Sequence, residues 1–235
     1  MPIARINELG IYYEERGDGE PVLLIGGLGN DVGMLGGMIA RLVQGNRVVA
    51  FDNRGAGRSD KPDIPYSIEM MAGDAVGLMD VLGIAQAHVV GISMGASIAL
   101  ELALAHPDRV TGLVLVSASA RTPAKLTMSA PVRTADMLRS LPMLKDRYPQ
   151  PKYAHKRQRA ASRGYDCTAR LGQIHTPTLI LHGRRDRTVP TALVEEMHDR
   201  IAGSKLVMFD GGHMFFLLRE RDQFLDQVAA FVADR

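Results

Sequence analysis

A three-layer α/β fold, with a mostly parallel central sheet and helices on both of its faces, is what the 235-residue sequence predicts. Three observations lead there. Six apolar runs are short and rich in Val, Ile and Leu, too continuous for half-exposed strands and too short for helices. The segments between most of them are long enough for crossover helices. Finally, 46% of the residues are hydrophobic, which allows a chain of this length to bury roughly 70 to 75% of its unfolded surface around one core.

The first element differs from the rest. ARINELGIYYEERGDGE contains two runs with polar residues interleaved, which predicts an antiparallel hairpin around Leu9-Gly10 at one edge of the sheet. Buried strands are then expected at 22–26 (VLLIG), 47–51 (RVVAF), 87–92 (AHVVGI), 110–117 (VTGLVLVS), 176–183 (TPTLILHG) and 205–209 (KLVMF). Helices are expected at 33–44, 67–82, 94–106 and 190–202, with a terminal one at 216–234. Strand alternating with helix implies a parallel sheet covered on both sides.

The alternation stops near residue 120. Residues 121–168 contain Pro123, Pro131, Pro142, Pro149 and Pro151 and no strand-like run, so they read as a small helical cap inserted into a core formed by 1–120 and 169–235. The plainer alternative is a solvated excursion of the surface. Charge also sets this part of the chain apart: 121–170 carry 12 Lys and Arg against 3 Asp and Glu, although the whole chain is only +2. These charges read as a solvated helical face, with steering of an anionic substrate as the sharper alternative.

Several classes of function are disfavoured. The one cysteine, Cys167, excludes an intramolecular disulfide and is expected to be a small buried residue. The seven histidines include no His-x-x-x-His pair, so no metal is expected. MPIARINELG lacks the unbroken apolar stretch of a secretion signal, and the longest apolar region, about 87–104, contains Glu101; a cytoplasmic protein that does not enter membranes is the expectation. Nucleic acid is not an expected partner, because Tyr148, Tyr153 and Tyr165 are too scattered to form a stacking platform.

VVGISMGASIA (89–99) carries the chemistry. It places Ser93 between Gly91 and Gly95 at a strand-to-helix junction, the context that gives the Gly-x-Ser-x-Gly pattern its meaning. A sharp turn lifts the hydroxyl off the strand end, the glycines clear space on either side, and the N–H of Met94 is aimed at charge developing on a substrate oxygen. A glycine-rich packing turn is the alternative. A serine needs a base, and the base needs a group to hold its tautomer. His213 in FDGGHMFF and Asp186 in LILHGRRDRTVP both fall just after later strands, and the order Ser93, Asp186, His213 is the one the elbow motif predicts. Asp210 is a rival acid, but lies on the same loop as His213 and is read as fixing a turn; His182, at the end of a buried strand, is read as core. LLIGGLGND supplies a second oxyanion donor, the N–H of Leu28 after Gly26 and Gly27. A phosphate loop is the competing reading of those glycines, but the Lys-Ser/Thr ending is missing.

Together these pieces resemble the α/β-hydrolase superfamily over essentially the whole chain, and in particular its small cofactor-free branch. That branch holds bacterial carboxylesterases, 3-oxoadipate enol-lactonases, haloperoxidase-like perhydrolases and carbon–carbon bond hydrolases. FDNRGAGRSDKPDIPYSIEMMAGD is similar to the family's Asp-x-Arg-Gly-x-Gly-x-Ser loop, GISMG to its nucleophile elbow, LHGRRDRTVP to its acid loop and GGHMFFL to its histidine loop. The resemblance implies Ser93 as nucleophile, His213 as base, Asp186 as its orienting acid, Leu28 and Met94 as oxyanion donors, structural roles for Arg54 and Asp60, and no cofactor. Relatives usually read His-Gly where this chain has Gly26-Gly27, and many have a glycine at Ala96. A serine at 93 disfavours the branches that form ester intermediates through a carboxylate.

The expected reaction is two-step acyl transfer from a small carboxylic ester or lactone to water. Gly27, Met34 and Met214 are expected in the pocket wall. Peroxide as acyl acceptor, carbon–carbon bond hydrolysis on the same triad, and a non-catalytic ligand-binding homologue are the rival functions.

Overall fold

The computed structural model describes residues 2–122, 148–217 and 219–234. Eight strands form one sheet in the order β1-β2-β4-β3-β5-β6-β7-β8. They are β1 (Ile3–Ile6), β2 (Leu9–Arg16), β3 (Glu20–Ile25), β4 (Asn46–Phe51), β5 (Ala87–Ile92), β6 (Val110–Val116), β7 (Thr178–Gly183) and β8 (Lys205–Phe209). From β4 to β8 every pairing is parallel; only β1 with β2 and β2 with β4 are antiparallel.

Alternation along the strands divides the core into two layers. Leu23, Ile25, Val49, Phe51, Val89 and Leu113 face helices α2 (Ile68–Val81) and α3 (Met94–Ala105) and α5 (Thr191–Arg200). Val22, Leu24, Val48, Val90, Ile92 and Val114 face α1 (Gly36–Leu42) and α6 (Arg221–Ala233). With both faces covered, the strands need no polar alternation, which is why their sequences are nearly continuous apolar runs. Ser67 starts α2 by accepting the Met70 N–H, and Asp31 starts the short turn Val32–Leu35 by accepting that of Gly33. Among the described residues no helix is long and apolar enough to cross a membrane.

The hairpin lies at the sheet edge, but its turn is not at Leu9-Gly10. Ile6 pairs with Leu9 and Arg5 with Gly10, so both of those residues belong to β2 and the chain reverses at Asn7-Glu8. Asn7 takes the left-handed backbone (φ 47) that asparagine tolerates better than most residues. Gly10 answers a different need, because its N–H donates to Asp60 Oδ2 at 2.7 Å and a β-carbon there would press on the same carboxylate.

Of the expected cap, residues 123–147 lie outside the described residues. The rest contains α4 (Lys152–Gly164), whose Ala154, Gln158 and Ala161 form a buried stripe at helical spacing. The two ends of the insert meet at a bridge between Arg121 and Asp166, beside Cys167, which is buried and whose thiol is pushed up to about 11 by that burial.

One buried ion pair ties the loop after β4 to α2: both nitrogens of the Arg54 fork bind the Asp74 carboxylate. Removing one partner leaves an uncompensated buried charge, so Asp74→Ala is expected to lower the unfolding free energy by about 3 kcal/mol. A urea melt checks this, and a loss below about 1 kcal/mol would mean that Arg54 finds another partner or water.

Candidate active site

Every candidate residue sits at the carboxyl edge of the sheet, where parallel strands release the chain into loops. Ser93 follows β5 directly and starts α3 with φ 54 and ψ −116, a strained combination for a residue with a side chain. Gly91 and Gly95 make this bend attainable. A β-carbon at 91 would strike the Gly95 carbonyl and lie 2.6 Å from Ala96 Cα, and one at 95 would strike the carbonyls of Ile25 and Gly26. Hydrogen bonds from Ser93 N–H to the Val116 carbonyl and from Ala96 N–H to the Ser93 carbonyl hold the bend.

His213 and Asp186 converge on this hydroxyl from loops far along the chain. His213 Nε2 lies 3.0 Å from Ser93 Oγ, and His213 Nδ1 lies 2.7 Å from Asp186 Oδ2. A carboxylate only accepts, so Nδ1 carries the ring hydrogen and Nε2 is left as the acceptor facing the serine. Asp186 is buried while His213 is partly open. Burial alone would raise the Asp186 carboxyl, but the hydrogen bond and charge of His213, with the amides of Val189 and Thr188, outweigh it and hold the group below the ordinary carboxylate range. The arrangement can take a proton from Ser93 and keep the resulting imidazolium paired.

The amides expected to receive a developing oxyanion flank the same serine. Met94 is the first residue of α3, so its N–H has no intrahelical acceptor, and among the described residues neither it nor the Leu28 N–H donates to the protein. Gly27 packs against the elbow: a β-carbon there would sit 3.3 Å from the Ile92 carbonyl and 3.5 Å from Ser93 Cβ. At Gly26 the nearest atoms to a β-carbon, on Asn30, are 3.6 Å away. Packing therefore does not impose the glycine found there. Met34 lines a cavity of about 100 Å³ with Met38, Ile92, Phe216 and Phe224, and Met214 packs, half-buried, against the apolar layer that includes those residues.

Some site-shaping residues are absent from the sequence reading. Ser117, at φ 50 at the end of β6, donates its hydroxyl to the His213 carbonyl at 2.8 Å. Asn53 donates from Nδ2 to the Gly26 carbonyl at 3.0 Å and so holds the loop carrying Leu28. Asp52 accepts from the N–H groups of Val32 and Arg58, and burial raises its carboxyl above the ordinary range despite them. Asp60 and Arg54 make structural bonds, as the resemblance implies. His182 is fully buried, with neither ring nitrogen bonded among the described residues and Nε2 3.9 Å from Asp186 Oδ2; burial lowers its basicity. Asp210 is exposed, and its N–H is held by Glu220.

A parallel sheet with a strained serine elbow after its fifth strand, and acid and histidine on later loops, defines a hydrolase of the α/β type. The sequence pattern of the alpha/beta hydrolase fold matches residues 20–163, and the chain belongs to that family. A Variovorax paradoxus protein designated a carbamate hydrolase, RutD, is 32% identical over 238 residues, spanning 86% of this chain and 89% of its own. Its Azorhizobium caulinodans counterpart is 29% identical over 100% of this chain and 99% of its own. Among solved structures, the enol-lactonase of Burkholderia xenovorans superposes with a TM-score of 0.88 at 27% identity, over 99% of this chain and 100% of that one.

Two measurements probe this geometry. Gly95→Ala is expected to cost about 2 to 3 kcal/mol in a denaturant melt, because the intruding carbon meets backbone that cannot rotate away; wild-type stability would show that the bend has slack. The second concerns His182, which resists protonation in the fold but titrates near its ordinary 6.5 when unfolded. The unfolded chain then binds the extra proton as pH falls, so stability drops through that range. His182→Leu should show a flatter fall in urea midpoint between about pH 7 and 5, and an unchanged slope would mean the ring is already charged inside.

Proposed function

We propose that the protein is a serine hydrolase that cleaves small carboxylic esters or lactones through an acyl-enzyme, with Ser93 as nucleophile, His213 as general base and acid, and Asp186 holding the imidazole. The continuous chain of contacts from Asp186 through His213 to Ser93, at 2.7 and 3.0 Å, is the observation that carries this reading. Ser93 Oγ bonds to the substrate carbonyl carbon as His213 Nε2 takes its proton. The carbonyl π electrons move to oxygen, where the Leu28 and Met94 amides receive them. Collapse of this intermediate expels the alkoxide, which takes the proton back from His213. Water then repeats the sequence: His213 accepts its proton, hydroxide adds to the acyl carbon, and Ser93 leaves reprotonated.

A carbamate is the second reading, favoured by likeness to the relatives designated RutD along nearly the whole chain. It presents a carbonyl to the same residues and differs in carrying nitrogen, where an ester carries carbon, on the carbonyl carbon. In this reading residues 121–168 form a cap over a core of 1–120 and 169–235, and Gly27, Met34 and Met214 contribute to the pocket wall.

The test is hydrolysis of p-nitrophenyl acetate, a γ-lactone and p-nitrophenyl carbamate by wild type and by Ser93→Ala. Wild type is expected to turn over at least one of them, and Ser93→Ala to lose at least about 10³-fold in kcat. Comparable rates from both proteins would end the serine-hydrolase reading, and the preferred acyl group separates ester or lactone from carbamate.

A further inference from the structure

Among the described residues of the insert between β6 and β7, Gln158 is a fully buried polar side chain bonded to the core. Gln158, on the inner stripe of α4, accepts the Gly29 N–H at Oε1 (3.0 Å) and donates from Nε2 to the Arg54 carbonyl (2.7 Å). Its Oε1 also receives Gln150 Nε2 at 2.9 Å, and Gln150 in turn donates to the Gly55 carbonyl at 2.7 Å. Both the oxygen and the nitrogen of the Gln158 amide are thus partnered.

Gly29 immediately follows Leu28, whose N–H is the proposed second oxyanion donor. Its left-handed backbone (φ 72) makes the loop turn there, and a β-carbon would come within 2.9 Å of Gln150 Oε1. The loop is thus fixed at two points. Asn53 grips the Gly26 carbonyl from within the core, and Gln158 grips the Gly29 amide from the insert. Peptide planes are rigid, so anchoring the Gly26 carbonyl and the Gly29 amide restricts the direction of the Leu28 N–H between them. Preorganised direction is what gives an oxyanion donor its effect on rate.

We propose that Gln158 is a positioning residue for the oxyanion hole, so that the inserted segment sets the rate of the chemical step as well as covering the substrate. The inference rests on the serine-hydrolase reading. A cover that only encloses substrate would act on KM; a support for the oxyanion loop acts on kcat and on affinity for a tetrahedral oxyanion.

The experiment compares wild type, Gln158→Met and Gln150→Ala. Methionine keeps the length of glutamine and loses all three of its hydrogen bonds. Each protein is assayed for kcat and KM on its best ester, and for inhibition by a trifluoromethyl ketone, to which Ser93 adds to leave a tetrahedral oxyanion, and by the corresponding methyl ketone. Gln158→Met is expected to lose about 10- to 100-fold in kcat and a similar factor in trifluoromethyl ketone affinity, with KM and methyl ketone affinity within about threefold of wild type. Gln150→Ala, which leaves the Gly29 bond in place, should stay near wild type.

Equal kcat and equal trifluoromethyl ketone affinity in Gln158→Met would overturn the inference, as would parallel losses for both ketones, the mark of a general packing defect. Should Gln158→Met fail to fold, Gln158→Asn, which withdraws the amide by one methylene, replaces it under the same criteria. A wild type inert to every ester sinks the hydrolase reading and this inference with it; an active wild type alongside an unimpaired Gln158→Met sinks this inference alone.

Discussion

Ser93 occupies a backbone conformation that costs an L-residue about 1 to 3 kcal/mol, and the surrounding structure is built so that this residue has no cheaper alternative. Its N–H is taken by the end of β6, the carbonyl by the first turn of α3, and the glycines on either side allow β3 and α3 to approach closer than any side chain would permit. If the bend relaxed, the hydroxyl would fall back toward the strand and lose its alignment with His213. The close packing of Gly95 against Ile25 and Gly26 also binds the bend to the loop that bears Leu28. One contact thus serves both the proposed nucleophile and its proposed oxyanion site.

The same device recurs at lower intensity one strand away. Ser117 ends β6 as Ser93 ends β5, also with positive φ, and uses its hydroxyl to hold the His213 carbonyl. The histidine loop is therefore fixed by its backbone at one point and by its ring at another, through Asp186. Asp186 is itself held by two amides of its own loop. Each member of the constellation is pinned by atoms other than those proposed to react, which is what preorganisation requires.

Much of this was legible in the sequence because it depends on local pattern. Buried parallel strands write themselves as apolar runs, and all six expected ones are present within about two residues of their predicted limits. The elbow was readable because Gly91, Ser93 and Gly95 sit at fixed spacing on a strand-to-helix junction, and the resemblance placed the chain in the family to which it belongs. The hairpin turn was misplaced because glycine signals both turns and close approach, and Gly10 serves the second purpose while Asn7 makes the turn. Ser117, Asn53 and Gln158 were invisible for another reason. Their partners are mostly backbone groups distant in sequence, and a backbone acceptor leaves no residue type to recognise.

The bridge between Arg121 and Asp166 gives the insert a narrow neck, since the chain leaves the core and returns to it at nearly the same place. In evolutionary terms that is a socket: segments of different length and shape can be exchanged there without re-registering any strand of the sheet. The buried amide of Gln158 limits the freedom of that exchange, because a replacement must also present an acceptor at the height of Gly29.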